Sequence, residues 1–283
     1  MKPVAFEYVA ARSLEEALGA LHEGGEDAKP IAGGQSLVPA LNMRLVRPTL
    51  LVDLNRAGLD RIETDGALLR IGATVRQAAL QQDERTHPLL LEALPYVGHF
   101  VTRNRGTVGG SIAHADGSAE IPLCLATLGG AVVAAGPNGR REIAPDAFFV
   151  THYLTTLAAG ELVIESTWPQ PAECEGAAFE ELALRAGDYA LAMVAVVLRR
   201  VDGVARDVRI RVGAVTDRPT ALSEVELAIG GATVTAAAAR EAGTLAARAV
   251  DPLDSIHASA RYLRHLTGTL VERALLRAWE RAG

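Results

Sequence analysis

The hydrophobic rhythm of this 283-residue chain changes once, across residues 169–177, and that change limits the fold more than any other feature. The segment PQPAECEGA holds two prolines, a glycine and two glutamates, a composition that reads as a linker. Before it, the pattern is of short mixed elements. Ser13 and Glu16 stand at capping-box spacing ahead of Ala17, Leu18 and Leu21, which predicts a helix. Lys29 to Ala32 reads as a strand that stops at Gly33-Gly34, and a second helix begins near Ser36. Leu50–Leu54, Leu68–Gly72 and Glu161–Thr167 read as strands, and Pro88 opens a helix over Leu89–Leu94. Thr74 and Gln77 repeat the capping-box spacing and predict a helix of about eight residues. Asn138-Gly139 marks a hairpin between Ala131–Ala135 and Glu142–Ile143.

After the linker, Ala178–Leu184, Ala190–Arg200 and Val204–Val215 read as three strands, the last two joined by an Asp202-Gly203 turn. Helices follow over Ala221–Ile229, Thr233–Ala249 and Asp254 to the end. The last carries Ile256, Tyr262, Leu263, Leu266, Leu270, Leu275 and Leu276 mostly on one face, with a break expected at Gly268. Two domains are expected, residues 1–175 and 176–283, and the length suits two cores.

Several function classes are disfavoured. A formal net charge of −6 and only 4% aromatic residues suit neither phosphate backbones nor stacked bases, so no nucleic-acid partner is expected. The longest apolar run, Tyr189 to Leu198, is too short for a membrane span, and no secretory signal opens the chain; a cytoplasmic location is expected. Cys124 and Cys174 stand far apart and cannot supply the four ligands an iron–sulfur cluster usually needs. No G-x-G, no G-K-[ST], no G-x-S-x-G and no zinc spacing among the histidines is present.

Two bends carry the chemistry instead. Ile31-Ala32-Gly33-Gly34-Gln35-Ser36-Leu37 is a strand end, paired glycines and a hydroxyl residue opening a helix. Successive N–H groups in such a turn make a concavity suited to phosphate. Thr107-Val108-Gly109-Gly110-Ser111 repeats the design, and Ala115-Asp116-Gly117-Ser118-Ala119-Glu120 follows. Each bend alone also fits a plain strand-to-helix turn with a capping hydroxyl; the pair suggests amides closing on one pyrophosphate from two sides. His114, close to Asp116, fits a polar loop better than a general base.

AGGQS, RNRGTVGGSIAHADGSAE and LRAGDYA together resemble the FAD-binding medium subunits of the xanthine dehydrogenase and carbon monoxide dehydrogenase family, and the resemblance extends over the whole chain to ARYLRHLTGTLVERAL. It implies an α+β fold. A two-subdomain FAD-binding domain of the PCMH or vanillyl-oxidase type, divided at about residue 56, precedes a three-stranded antiparallel sheet with a helix bundle. It implies that Ile31, Ala32, Gly33, Gly34, Gln35, Ser36 and Leu37 cradle the FAD pyrophosphate. Thr107, Gly109, Gly110 and Ser111 serve the other side, Asp116 and Glu120 lie near the ribityl and sugar hydroxyls, and Tyr189 lies near the isoalloxazine ring.

The resemblance further implies a division of labour. A large subunit holds a molybdenum cofactor, a small subunit holds two [2Fe–2S] clusters, and this chain passes electrons through FAD to an external acceptor, within a dimer of heterotrimers. No catalytic acid, base, nucleophile or metal ligand is then expected in the chain itself. Two departures stand out. The family's Ala-Asp-Pro is Ala115-Asp116-Gly117 here, which predicts a looser turn. Where some relatives have a lysine after Ala-Phe, Glu180 stands here, and it is expected to leave the reduced flavin less compensated and lower its potential. The alternatives are a stand-alone vanillyl-oxidase-type oxidase, with His99 or His114 as a covalent flavin link, and a flavin-free docking scaffold.

Overall fold

The computed structural model describes residues 2–283. The strands β1 (Glu7–Ala10), β2 (Ala28–Ile31) and β3 (Leu50–Asp53) form a parallel sheet with β3 in the centre. The helix Leu14–Gly24 packs Ala17 and Leu21 onto it. Its start is held by the predicted cap: Ser13 Oγ accepts from Glu16 N–H at 3.1 Å, and the Glu16 carboxylate accepts from Arg12 N–H at 2.7 Å. Ile31 and Asp53 are paired, so β2 and β3 end together and their carboxyl ends open on one edge.

A five-stranded antiparallel sheet follows, built from β4 (Ile62–Asp65), β5 (Leu68–Gly72), β6 (Ala131–Gly136), β7 (Gly139–Ile143) and, after the short hairpin of β8 (Phe149–Thr151) and β9 (Leu154–Thr155), β10 (Leu162–Pro169). The spatial order is β4-β5-β10-β6-β7. Alternation along β10 assigns its two faces. Val163 packs into the helical core of this subdomain, whereas Leu162 and Ile164 pack against the first sheet's helix. One sheet therefore joins the two subdomains.

The capping box expected at Thr74 does not form. The helix there is only Gln77–Leu80 and its N-cap is Arg76. Gln77 N–H donates instead to Gly106 O at 3.0 Å, and Thr74 Oγ1 is buried without a partner. A tertiary contact took the amide that the local motif would have capped.

The C-terminal sheet contains the three expected strands, β11 (Glu175–Ala183), β12 (Ala190–Val201) and β13 (Val204–Gly213), with a two-residue fourth, β14 (Thr220–Ala221), added at the edge. The unbroken apolar run of β12 has a physical cause, because both its faces are buried. Met193, Ala195 and Val197 join the core of the preceding helices, and Val194, Val196 and Leu198 join the core of the C-terminal helices.

The last helix spans Ala260–Arg281, later than expected, with Ser259 accepting from Tyr262 N–H. Ile256, expected on its buried face, lies in the preceding loop and is 95% exposed. Gly268 does not break the helix. A Cβ there would lie 2.6 Å from Gly243 O, and one on Gly243 would lie 2.5 Å from Gly268 O, so paired glycines let this helix and Ala236–Ala249 meet backbone to backbone. No helix among the described residues is long and apolar enough to cross a membrane. Gly268→Val should force the two helices apart and lower unfolding free energy by about 1–3 kcal/mol, the usual cost of overpacking, read as a lower denaturation midpoint.

Candidate functional site

The first bend sits where β2 and β3 end. The backbone N–H groups of Gly33, Gly34, Gln35 and Ser36 have no acceptor among the described residues, and Gly34 adopts φ +72°. Two side chains hold the carbonyls that flank these amides. Asn55 Nδ2 donates to Ala32 O at 3.0 Å, and Gln35 Nε2 donates to Gly33 O at 3.3 Å. In a trans peptide the carbonyl and the following N–H point in opposite directions. The Gly33 N–H therefore points away from Asn55, and the Gly34 N–H away from the Gln35 side chain. The Ser36 side chain makes no capping bond to the helix Leu37–Asn42, so its hydroxyl is not consumed by the turn.

The second bend is brought directly against the first. A Cβ on Gly33 would lie 2.5 Å from Arg105 O and 2.9 Å from Gly106 Cα, so only glycine permits the approach. Arg76 bridges the two subdomains at this point: its guanidinium donates to Asn55 Oδ1 at 2.6 Å and to Arg105 O. Asn55 is in turn held by Asp53, whose Oδ1 accepts from Asn55 N–H at 2.8 Å.

The second bend does not repeat the first one's chemistry. Val108 N–H donates to Val75 O and Gly109 N–H to Ala73 O, both at 3.0 Å. Thr107 Oγ1 caps the helix Val108–His114 by accepting from Gly110 N–H at 3.1 Å. Gly109 is demanded by packing, since a Cβ there would lie 2.4 Å from Ala73 Cβ. The expectation of a matched pair of open amide cradles is thus corrected. The first bend offers free amides, and the second offers a close-packed wall with the half-buried Ser111, whose hydroxyl has no partner among the described residues.

The carboxylate segment is rigid rather than loose. Ala115 is left-handed at φ 51°. Gly117 N–H donates to His152 Nδ1 at 3.2 Å, Gly117 O accepts from Ala214 N–H at 2.8 Å, and a Cβ at Gly117 would lie 2.5 Å from the His152 ring. The glycine that replaces the family's proline is tied into the C-terminal domain, which corrects the expected loosening. Buried Asp116 accepts from Ser118 N–H at 2.9 Å and from the Tyr153 hydroxyl at 3.2 Å. Burial and the Asp116 charge push the Tyr153 hydroxyl up to about 12. His114 stacks on Tyr153 at 4.9 Å between ring centroids, and burial lowers its pKa.

Glu120 begins the fully buried helix Glu120–Leu128. Burial, and then the neighbouring Asp116, raise its carboxyl to about 7, against the pull of its own backbone N–H and of Arg103. Glu181 lies on β11, on the strand face that packs into the core containing the helix Glu120–Leu128. Burial, and then the charge of Glu120, raise Glu181 to about 8, and Glu181 Oε2 is buried without a partner. Tyr189 is 73% exposed overall, yet partial burial of its hydroxyl and then the charges of Asp116 and Glu120 raise its pKa.

Glu180, one residue earlier on β11, points to the opposite face. It pairs with Arg277 and, at 3.1 Å, with Arg273, both on the last helix. Its charge is compensated there by the two guanidinium groups. The glutamate on the site's side of the strand is Glu181. The sequence reading missed Asn55, Arg76 and Glu181. Period-two alternation from Ala177 and Phe179, both in the first core, marks Glu181; no local pattern marks Asn55 or Arg76.

Comparison with known proteins adds a separate line of argument. Residues 4–171 match the family described as the FAD binding domain in molybdopterin dehydrogenase, and residues 177–278 match the CO dehydrogenase flavoprotein C-terminal domain. The chain is 40% identical to the 6-hydroxypseudooxynicotine dehydrogenase complex subunit alpha of Paenarthrobacter nicotinovorans, over 100% of this chain and 97% of that protein. It is 38% identical to the nicotine 6-hydroxylase medium subunit of the same organism, over 99% and 100%. The fold matches a solved chain of carbon monoxide dehydrogenase from Hydrogenophaga pseudoflava at a TM-score of 0.97, with 35% identity and 100% of both chains covered.

The raised carboxyls predict a pH dependence of folding. A carboxyl whose folded pKa lies above its unfolded value stabilises fully below the ordinary value of 4.5 and loses that contribution as pH rises through the folded value. The flavin-free chain should therefore lose stability between about pH 5 and about pH 8. Denaturant midpoints across that window should flatten in Glu181→Gln, and an unchanged pH profile would contradict the burial described.

Proposed function

The chain belongs to the FAD-binding family of the molybdopterin dehydrogenases, the flavin-carrying medium subunits of molybdenum hydroxylases, and from that membership we propose that it holds FAD across the two bends described above. The observation that carries this reading is the contact of Gly33 with Arg105 and Gly106 beside four consecutive amides that lack a protein acceptor. Such a concavity of donors suits the negative oxygens of a diphosphate. Residues 31–37 then receive the pyrophosphate. Ser111 and the capped helix behind Thr107, Gly109 and Gly110 form the opposing wall. Asp116 and Glu120 accept from sugar and ribityl hydroxyls, and Tyr189 lies by the ring. Residues 1–175 serve as the cofactor domain and 176–283 as the domain that closes over it.

Bound FAD supplies the capacity to collect electrons singly and release them in pairs. This chain's residues orient the cofactor and exclude water from its buried face. The chain then works between a small subunit with two [2Fe–2S] clusters and a large subunit with the molybdenum cofactor, in a dimer of heterotrimers, and delivers electrons to an external acceptor. The names of its relatives, a nicotine hydroxylase medium subunit among them, support this role over that of a stand-alone oxidase.

Gly33→Ala puts a methyl group against the Arg105 carbonyl and should separate the bends. FAD affinity should fall by roughly tenfold or more, about 1.4 kcal/mol, with helix content kept, as read by flavin fluorescence titration and circular dichroism. Unaltered affinity would refute the placement of the diphosphate. Acid precipitation of the loaded chain should leave the yellow colour in solution; colour retained in the pellet would instead indicate a covalent link.

A further inference from the structure

Arg76 is bonded to both subdomains at once. Its backbone pairs with Thr107 in a single antiparallel bridge. The bonds on either side of that bridge are Gln77 N–H to Gly106 O and Val108 N–H to Val75 O, both at 3.0 Å. The residue is therefore part of the wall formed by the second bend. Its side chain leaves that wall and reaches the first subdomain, where it donates to Asn55 Oδ1 at 2.6 Å.

The same guanidinium donates to Arg105 O, the last carbonyl of the helix Phe100–Arg105. That carbonyl is the atom that a Cβ on Gly33 would strike, at 2.5 Å. Asn55 in turn holds Ala32 O at 3.0 Å and is itself anchored by Asp53. By either route the guanidinium stands two contacts from the Ala32–Gly33 peptide. Both of its acceptors are neutral oxygens, and they lie on different segments of the chain. A planar guanidinium with N–H groups set in a fixed fork can satisfy two such acceptors together, whereas a lysine ammonium is a point charge on a flexible stem.

We propose that Arg76 is a positioning residue for the cofactor, a strut that acts through Asn55 and Arg105 O to hold the two bends at the separation the FAD diphosphate requires. The inference rests on the FAD reading above. With the strut in place, the acceptor-free amides of residues 33–36 already stand against the second bend in the unliganded chain, and binding has little left to order. Without it, FAD itself must draw the bends together, and that ordering cost is subtracted from its affinity.

Flavin fluorescence titrations of the full chain, well below its thermal midpoint, test this. Arg76→Met should weaken FAD binding by roughly tenfold, the scale of one hydrogen bond from a charged donor. Arg76→Lys keeps the charge and loses the fork, so binding should stay weakened; full recovery with lysine would overturn the strut. Asn55→Ala should also weaken binding. The double variant should be little weaker than Asn55→Ala alone, because the two residues act in one chain, whereas effects that multiply would show separate roles and overturn the inference. Arg70→Met removes an arginine that pairs with Asp65 and Glu165 on the same sheet, and it should lower the thermal midpoint without changing FAD affinity. An Arg76→Met chain with a lowered midpoint and native FAD affinity would make Arg76 a brace for folding only, and the inference would fall. If Gly33→Ala weakens FAD binding and Arg76→Met does not, this inference falls alone. If the native chain binds no FAD, the function proposed above falls with it.

Discussion

The site depends on one backbone contact. Gly33, in the first subdomain, touches the carbonyl of Arg105 and the Cα of Gly106 in the second, at a distance that no side chain allows. The contact is held by a chain of polar groups rather than by apolar packing. Asp53 fixes Asn55, Asn55 draws in Ala32 O, and Arg76 joins Asn55 to Arg105 O. The Asn55 bond has a second effect, because with Ala32 O held by Asn55 the next N–H, that of Gly33, points the other way. These few bonds shape the cradle of free amides, while the apolar packing of Leu162 and Ile164 against the first subdomain aligns the subdomains with them. Chains of polar groups strengthen one another when their members are satisfied, and these part-buried groups satisfy one another.

A second organising principle is the separation of charge by strand face. Glu180 and Glu181 are neighbours in sequence and belong to different environments, because successive side chains on β11 point to opposite sides. Glu180 meets Arg273 and Arg277 and fastens the last helix to the C-terminal sheet, while Glu92, through Arg277 and Arg281, fastens that helix to the cofactor domain. Glu181 meets the cofactor domain's interior and finds no cation. One residue of register decides whether a carboxylate serves as a fastening or as a titrating group.

Most strands and the hairpin turn were legible in the sequence because each has a local cause. Gly-Gly followed by a hydroxyl residue, Asn-Gly between apolar runs, and a ten-residue apolar run all act through the backbone preferences of the residues themselves. Failures occurred where a distant group competed for a local one. Thr74 and Gln77 have capping spacing, but the Gln77 amide went to Gly106 O. Gly268 looks like a break but is a contact with Gly243. Gly109 looks like a phosphate ligand, yet its N–H is spent on Ala73. The substitution of glycine for the family's proline at Gly117 suggested slack, while His152 and Ala214 hold that turn from elsewhere in the chain.

By itself the sequence determined the kind of fold, because strand period, helix period and glycine's permitted dihedrals are properties of short segments. The tertiary structure alone decided which amides stay unpaired, which glutamate lies on the strand face that packs into the first domain's core, and that Asn55 and Arg76 join the bends. Those outcomes turn on competition for hydrogen bonds and charge partners between residues far apart in the chain, and that competition is settled only when the domains pack.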